Sequence, residues 1–184
     1  MNFELLKQES WFQLESKLED LTDNKEKGDL FEYFAYFYLH YNSHLYDIEE
    51  IYCPIVDGKP FPKTVLDQLK LETKDNGVDG VYITTKSKYI AWQAKFRSKR
   101  TTLTARELST FWAEAEYADY RLIISNTSKL PTVAGKKSGH LSLLVDPFKG
   151  LKDNFFANLY GYFSDSSFDI IRTQKTPRDF DQYS

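Results

Sequence analysis

Residues 74–96 read Lys74-Asp75-Asn76-Gly77-Val78-Asp79-Gly80-Val81-Tyr82-Ile83-Thr84-Thr85-Lys86-Ser87-Lys88-Tyr89-Ile90-Ala91-Trp92-Gln93-Ala94-Lys95-Phe96. Two β-rich runs, 78–85 and 88–96, flank Lys86-Ser87, and this pattern predicts a tight hairpin. Side chains alternate along a strand, so Gln93 and Lys95 share one face while Trp92, Ala94 and Phe96 share the other. With the turn centred on Lys86-Ser87, cross-strand partners have numbers summing to about 173. Asp79 then stands opposite Ala94 or an immediate neighbour, within cross-strand or diagonal reach of Gln93 and Lys95.

Upstream of the hairpin, Trp11, Leu14, Leu18 and Leu21 recur at helical spacing, which predicts an amphipathic helix over 2–21. Thr22-Asp23-Asn24 interrupts it, and Gly28-Asp29 opens a second helix reaching Tyr41. From Leu30 to Leu39 that helix carries one charge, Glu32, among apolar and aromatic neighbours. A carboxylate in such company needs a proton, a partner or a metal. Residues 45–57 predict a strand that Pro54 confines to an edge or a bulge. Residues 63–70 predict a short helix.

Downstream, a helix over 104–118 begins at Thr104, with Glu107 placed for a capping box. Leu122–Ser125 and Leu141–Val145 read as short strands, residues 126–140 as a mobile loop, and residues 148–163 as a helix. The order is that of an α/β fold, a mixed central sheet flanked by helices. One domain is expected over 1–165, with a core over about 25–130; residues 166–184 read as a polar C-terminal tail or linker.

The 184 residues are 41% hydrophobic and rich in aromatic rings, enough to bury a core. A single cysteine, Cys53, excludes an internal disulfide and a Cys-rich zinc site; we read it as a buried small hydrophobe. His40, His44 and His140 read as structural or exposed. Neither a signal peptide nor a membrane span is evident, which points to a cytoplasmic protein. The net charge of −3 argues against a passive nucleic-acid coat, yet acidic metal ligands can coexist with a local basic patch.

Asp79 offers an anionic oxygen, Gln93 a neutral one, and Lys95 a cation that can meet a phosphate or a water. Oxygen donors of this kind suit Mg²⁺ or Mn²⁺ rather than zinc. The basic run Arg97, Lys99 and Arg100 follows, suited to backbone phosphates of DNA.

This pattern resembles the PD-(D/E)xK nuclease superfamily, in the Mrr-type restriction endonuclease branch. There a Gly-Ile/Val-Asp segment precedes a Gln-x-Lys strand, as Gly77-Val78-Asp79 precedes Gln93-Ala94-Lys95 here. Phe31-Glu32 on the upstream helix matches the same pattern. Val78 stands where the superfamily name has Pro, and Gln93 replaces an acid, which removes one negative charge from the site. The resemblance implies a Mg²⁺- or Mn²⁺-dependent endodeoxyribonuclease in a restriction, defence or mobile-element setting. It implies catalytic roles for Asp79, Gln93, Lys95 and Glu32. The metal ligands would be Asp79, the Gln93 side-chain oxygen, the Ala94 carbonyl and Glu32. It also implies DNA as partner, a homodimer for double-strand cleavage, and a fused or partner helicase domain, toward which the spacing of Thr176 to Gln182 points.

Each residue alone has a plainer reading. Asp79 beside Gly80 is ordinary turn chemistry. Gln93 and Lys95 fit the solvent face of an edge strand. Arg97–Arg100 fits a solvated charge run. Two other functions share the pattern: a non-catalytic nucleic-acid-binding or assembly module, and a structure-selective junction resolvase.

Overall fold

Ser10 and Asp23 decide where the first two helices begin. In the computed structural model, which describes residues 1–74 and 76–164, Ser10 caps α1 (Trp11–Asp20) by accepting the Gln13 N–H. Asp23 caps α2 (Asn24–Tyr41) by accepting the Lys25 and Glu26 N–H groups. The single helix expected over 2–21 is therefore split: Phe3–Leu6 forms a 3₁₀ turn, and the Ser10 cap starts α1 afresh. Capping side chains satisfy helical N–H groups that otherwise lack partners, so they outrank hydrophobic spacing in setting a boundary.

Strand β1 (Ile48–Tyr52) stops short of Pro54. The expectation of a strand through Pro54 is corrected here. Pro54 occupies the first position of a short helical turn, α3 (Pro54–Asp57), where its missing N–H costs nothing. Helix α4 (Lys63–Leu69) lies where 63–70 was expected. The hairpin pairs β2 (Gly80–Thr84) with β3 (Tyr89–Lys95) antiparallel. Helix α5 (Ala105–Glu114) carries the expected Thr104/Glu107 capping box. Next come β4 (Tyr120–Ser125) and β5 (His140–Leu143), then α6 (Val145–Lys149) and α7 (Asp153–Ser164). The loop expected over 126–140 contains a 3₁₀ turn at Thr132–Lys136, and Asn126, Thr127 and Ala134 within it are buried. The expected C-terminal tail, with Thr176 to Gln182, lies outside the described residues.

The sheet order is β1-β2-β3-β4-β5. β2 pairs antiparallel with both β1 and β3, while β3, β4 and β5 run parallel. The mixed sheet flanked by helices is as expected. One face carries Ile90, Trp92, Ala94, Leu122 and Ile124 against α1, α2, α6 and α7. The other carries Val81, Ala91 and Ile123 against α4 and α5. Rings dominate the first core: Phe34 meets Trp11 and Phe148, each at 5.0 Å between centroids. Strand β3 is central, paired on both sides, so Gln93 and Lys95 are not on a solvent-facing edge strand.

Candidate active site

Register places the site. Gly80 pairs with Trp92, so Asp79, one residue earlier, stands opposite Gln93, a sum one below the expected value and within its range. The Asp79 N–H donates to the Trp92 carbonyl at 3.0 Å. Gly80 is required here, because a Cβ would lie 1.9 Å from the Trp92 ring. β2 ends at Gly80, and beyond that end the Asp79 carboxylate replaces the missing backbone partner: Oδ2 accepts the Ala94 N–H at 2.8 Å. In a strand the N–H and C=O of one residue point to the same side. The Ala94 carbonyl therefore also faces the Asp79 edge, while the Lys95 carbonyl faces β4 and accepts the Ser125 hydroxyl at 2.7 Å.

The Gln93 side chain is oriented by one bond. Its Nε2 donates to the Gly77 carbonyl at 2.9 Å, so Oε1 is the end left for a ligand. Gly77 has φ +72 and lies under the Glu114 carboxylate, two reasons for glycine there. Asn76 Oδ1 accepts the Val78 N–H and shapes the same loop.

Glu32 reaches the site from α2. Burial, then the nearby Asp79 carboxylate, pushes its carboxyl up to about 9. Asp79 is raised to about 6 by burial, while the Ala94 N–H and Lys95 hold it down. Glu32 is thus protonated near neutral pH and donates to the ionised Asp79. Two carboxyls sharing one proton behave as a pair. Lys95 lowers both, and its ammonium makes no hydrogen bond or ion pair with the described residues.

Sequence reasoning missed Asp29. It lies three residues before Glu32 on α2, adds a like charge near Glu32 and Asp79, and is bridged to Lys25 at 2.7 Å. The signal was available in the (i, i+3) helical spacing to Glu32.

The basic run is placed differently from a phosphate-facing stripe. Arg100 forms a forked pair with Glu15 of α1, with Nη2 to Oε1 at 2.7 Å and Nε to Oε2 at 3.0 Å. Arg97 pairs with Glu107. Asn126, fully buried, donates to Glu15 and to the Arg97 carbonyl, and accepts the Arg97 N–H at 2.7 Å. Two of the three expected phosphate-binding side chains are therefore engaged in internal ion pairs, and Lys99 is the exposed one.

Among the described residues, no group of three or more His, Cys, Asp or Glu side chains is placed to hold a metal. Two carboxyls, Asp79 and Glu32, meet here, and the Gln93 amide and the Ala94 backbone lie next to Asp79 along the hairpin. This set fits a divalent cation that prefers oxygen, since two carboxyls held above their ordinary range by burial, with the Asp29 charge adding to both, gain from a positive charge between them.

Residues 62–144 match the restriction endonuclease family. The match contains Asp79, Gln93, Ala94 and Lys95, together with α5 and β4; Glu32 precedes it, so its membership of the site rests on the fold. The restriction endonuclease resemblance read from the sequence is borne out over these residues, and the five-stranded mixed sheet is a restriction endonuclease-like fold. Among solved structures, one described as "ATP-dependent Type ISP restriction-modification enzyme LlaBIII bound to DNA" is similar at 20% identity and a TM-score of 0.48, covering 72% of this chain. This chain spans 8% of that one. No curated protein matches the chain. No helix among the described residues is long and apolar enough to cross a membrane.

Proposed function

We propose that this restriction endonuclease-like domain hydrolyses phosphodiester bonds of DNA with Mg²⁺ or Mn²⁺. The observation that carries the reading is the meeting of Glu32 and Asp79, with the Lys95 ammonium beside them and in no hydrogen bond or ion pair among the described residues. That ammonium feels the nearby Asp79 charge without a direct bond to it, so its N–H groups are left for a water or a substrate phosphate.

Asp79, Glu32, Gln93 through Oε1 and Ala94 through its carbonyl would hold the cation. A divalent ion bound there supplies Lewis-acid polarisation of the phosphate and a more acidic water. Lys95 holds the attacking water by hydrogen bond and meets the charge that develops on the phosphoryl oxygens. The water oxygen bonds to phosphorus and releases its proton to solvent, the P–O bond opposite breaks, and the departing ester oxygen takes up a proton from solvent. Gln93, neutral where the superfamily pattern has an acid, leaves the site one charge weaker for the cation. In a restriction setting, double-strand cleavage calls for two such sites, supplied by a second copy or by a second cut. A helicase domain in the same or a partner chain would deliver the DNA.

Incubation of supercoiled plasmid with Mg²⁺ or Mn²⁺ tests this. The wild type is expected to nick or linearise it, and Asp79→Ala and Lys95→Ala to fall by about 100-fold or more. Equal cleavage by all three proteins, or DNA binding by all with cleavage by none, overturns the reading; the second result identifies a non-catalytic binding module. Cleavage confined to branched DNA in a parallel assay identifies a junction resolvase.

A further inference from the structure

The geometry points to a second phosphate site beside the catalytic one, in which the buried Lys27 ammonium acts through the exposed Ser98 hydroxyl on a DNA backbone phosphate. This rests on the endonuclease reading above and adds residues to it.

Lys27 lies on α2 and is 8% exposed. Lysine is almost never buried unless paired, because desolvating an ammonium is costly. Neighbouring cations are paired with carboxylates: Lys25 with Asp29, Arg97 with Glu107, Arg100 with Glu15. Lys27 has no carboxylate partner among the described residues. Its Nζ donates to Ser98 Oγ at 3.1 Å and stands 6.0 Å from the centre of the Phe96 ring. Phe96 in turn packs edge-on against Phe31, one turn along α2, which fixes the wall that Lys27 lies on.

Ser98 is exposed while its Oγ accepts from a cation beneath it. A hydroxyl that accepts from an ammonium becomes a stronger donor, and here its own proton is left to point outward. The pair therefore presents a positive, directed donor at the surface, which matches an oxyanion. Ser98 follows Lys95 by three residues, at most about 10 Å along an extended chain, so the anion it meets is a phosphate close to the one being cut.

The loop that carries Ser98 is held in a costly shape. Lys99 and Arg100 both have φ of 54, in the left-handed region. A non-glycine residue in that region is strained and persists only where the surroundings enforce it. They do so here. Glu19 accepts the Lys99 N–H, Glu15 grips the Arg100 guanidinium, and Asn126 clamps the Arg97 backbone. The internal ion pairs of Arg97 and Arg100 thus position the loop, and Ser98, backed by Lys27, meets the phosphate.

DNA binding by fluorescence anisotropy, measured across a salt series without divalent metal, tests this. Lys27→Met keeps length and apolar contact and removes the charge. Each lost phosphate contact flattens the plot of log affinity against log salt by about 0.9. Lys27→Met is expected to flatten it by about that amount and to weaken binding about fivefold to tenfold near 0.1 M salt, alike for unrelated sequences. Ser98→Ala is expected to weaken binding in the same direction, and the double variant to be no weaker than Lys27→Met, because serine acts only through lysine. A Lys27→Met protein that melts like wild type and binds with an unchanged slope overturns the inference and leaves the endonuclease reading standing. Wild type that neither binds nor cuts DNA overturns both. Should Lys27→Met fail to fold, Ser98→Ala at its exposed position decides: unchanged affinity and slope overturn the site.

Discussion

Glu32 on α2 donates a hydrogen bond to the carboxylate of Asp79 at the foot of β2, so two acidic side chains 47 positions apart (79 minus 32) meet with one proton between them. That contact joins the apolar helix to the hairpin, and most of the proposed chemistry depends on it.

Glu32→Gln keeps the donor to Asp79 and loses the ability to ionise. Because the Glu32 carboxyl in the fold is raised to about 9, above its ordinary 4.5, its stabilising contribution is complete below pH 4.5 and is lost progressively as pH rises from 4.5 to 9. Near pH 4.5 the variant should melt within a degree or two of wild type. Between pH 4.5 and 9 the wild type should lose stability that the variant keeps, and Mn²⁺ should raise the melting temperature of wild type only. Thermal denaturation at pH 4.5, 7 and 9, with and without Mn²⁺, checks both. A variant that Mn²⁺ stabilises as strongly as wild type removes Glu32 from the metal site.

Gln93→Glu restores the acid of the superfamily pattern at the expense of the anchor to Gly77. Without metal, a carboxylate would face the Gly77 carbonyl where an N–H now donates, a loss of about 1–3 kcal/mol. The melting temperature should fall by several degrees, and Mg²⁺ should recover more of it than in wild type, since the site gains a charge. Calorimetry with and without Mg²⁺ measures the difference. Unchanged metal-free stability would show that the amide bond to Gly77 does not orient this side chain.

Glu15→Gln removes the charge that grips Arg100 while the Asn126 contact survives in part. Glu15 is 9% exposed, and breaking a largely buried pair from one side costs about 3 kcal/mol. Urea denaturation should show this loss. DNA affinity should fall as well, because the Ser98 loop loses its clamp. Full stability with full affinity would make the pair incidental.

His40 sets part of the acid limit. Burial lowers its imidazole from 6.5 to about 4, so the unfolded chain binds its proton first. The associated stability is complete above pH 6.5 and is lost as pH falls toward 4, on the order of 3 kcal/mol. His40→Phe retains the stack on Tyr36 at 5.6 Å and should flatten the stability profile between pH 6.5 and 4.5. Parallel profiles for the two proteins would assign the acid limit to other groups.

Much of this is legible in the sequence. Alternation and the position of Lys86-Ser87 put Asp79 against Gln93, and the lone charge in 30–39 singled out Glu32. Such features are local, with a period or a spacing that the chain itself displays. Pro54 was misplaced because a proline that interrupts a strand and one that opens a helical turn look alike without the cap geometry. Arg97 and Arg100 read as a solvated basic run because their partners, Glu107 and Glu15, come from other elements. Ion pairing across 85 residues, as between Arg100 and Glu15, leaves no periodicity to read. Lys27 was invisible for the same reason: its burial depends on Phe96 and Ser98 folding over it.

The most direct test of the central claim is a crystal structure of the protein grown with Mn²⁺, with anomalous scattering used to locate the ion. One anomalous peak within coordination distance of the Asp79 carboxylate, Glu32, Gln93 Oε1 and the Ala94 carbonyl is expected, and Asp79→Asn should abolish it. Mn²⁺ bound only elsewhere, or no peak while Glu32 and Asp79 still share their proton, would contradict the account.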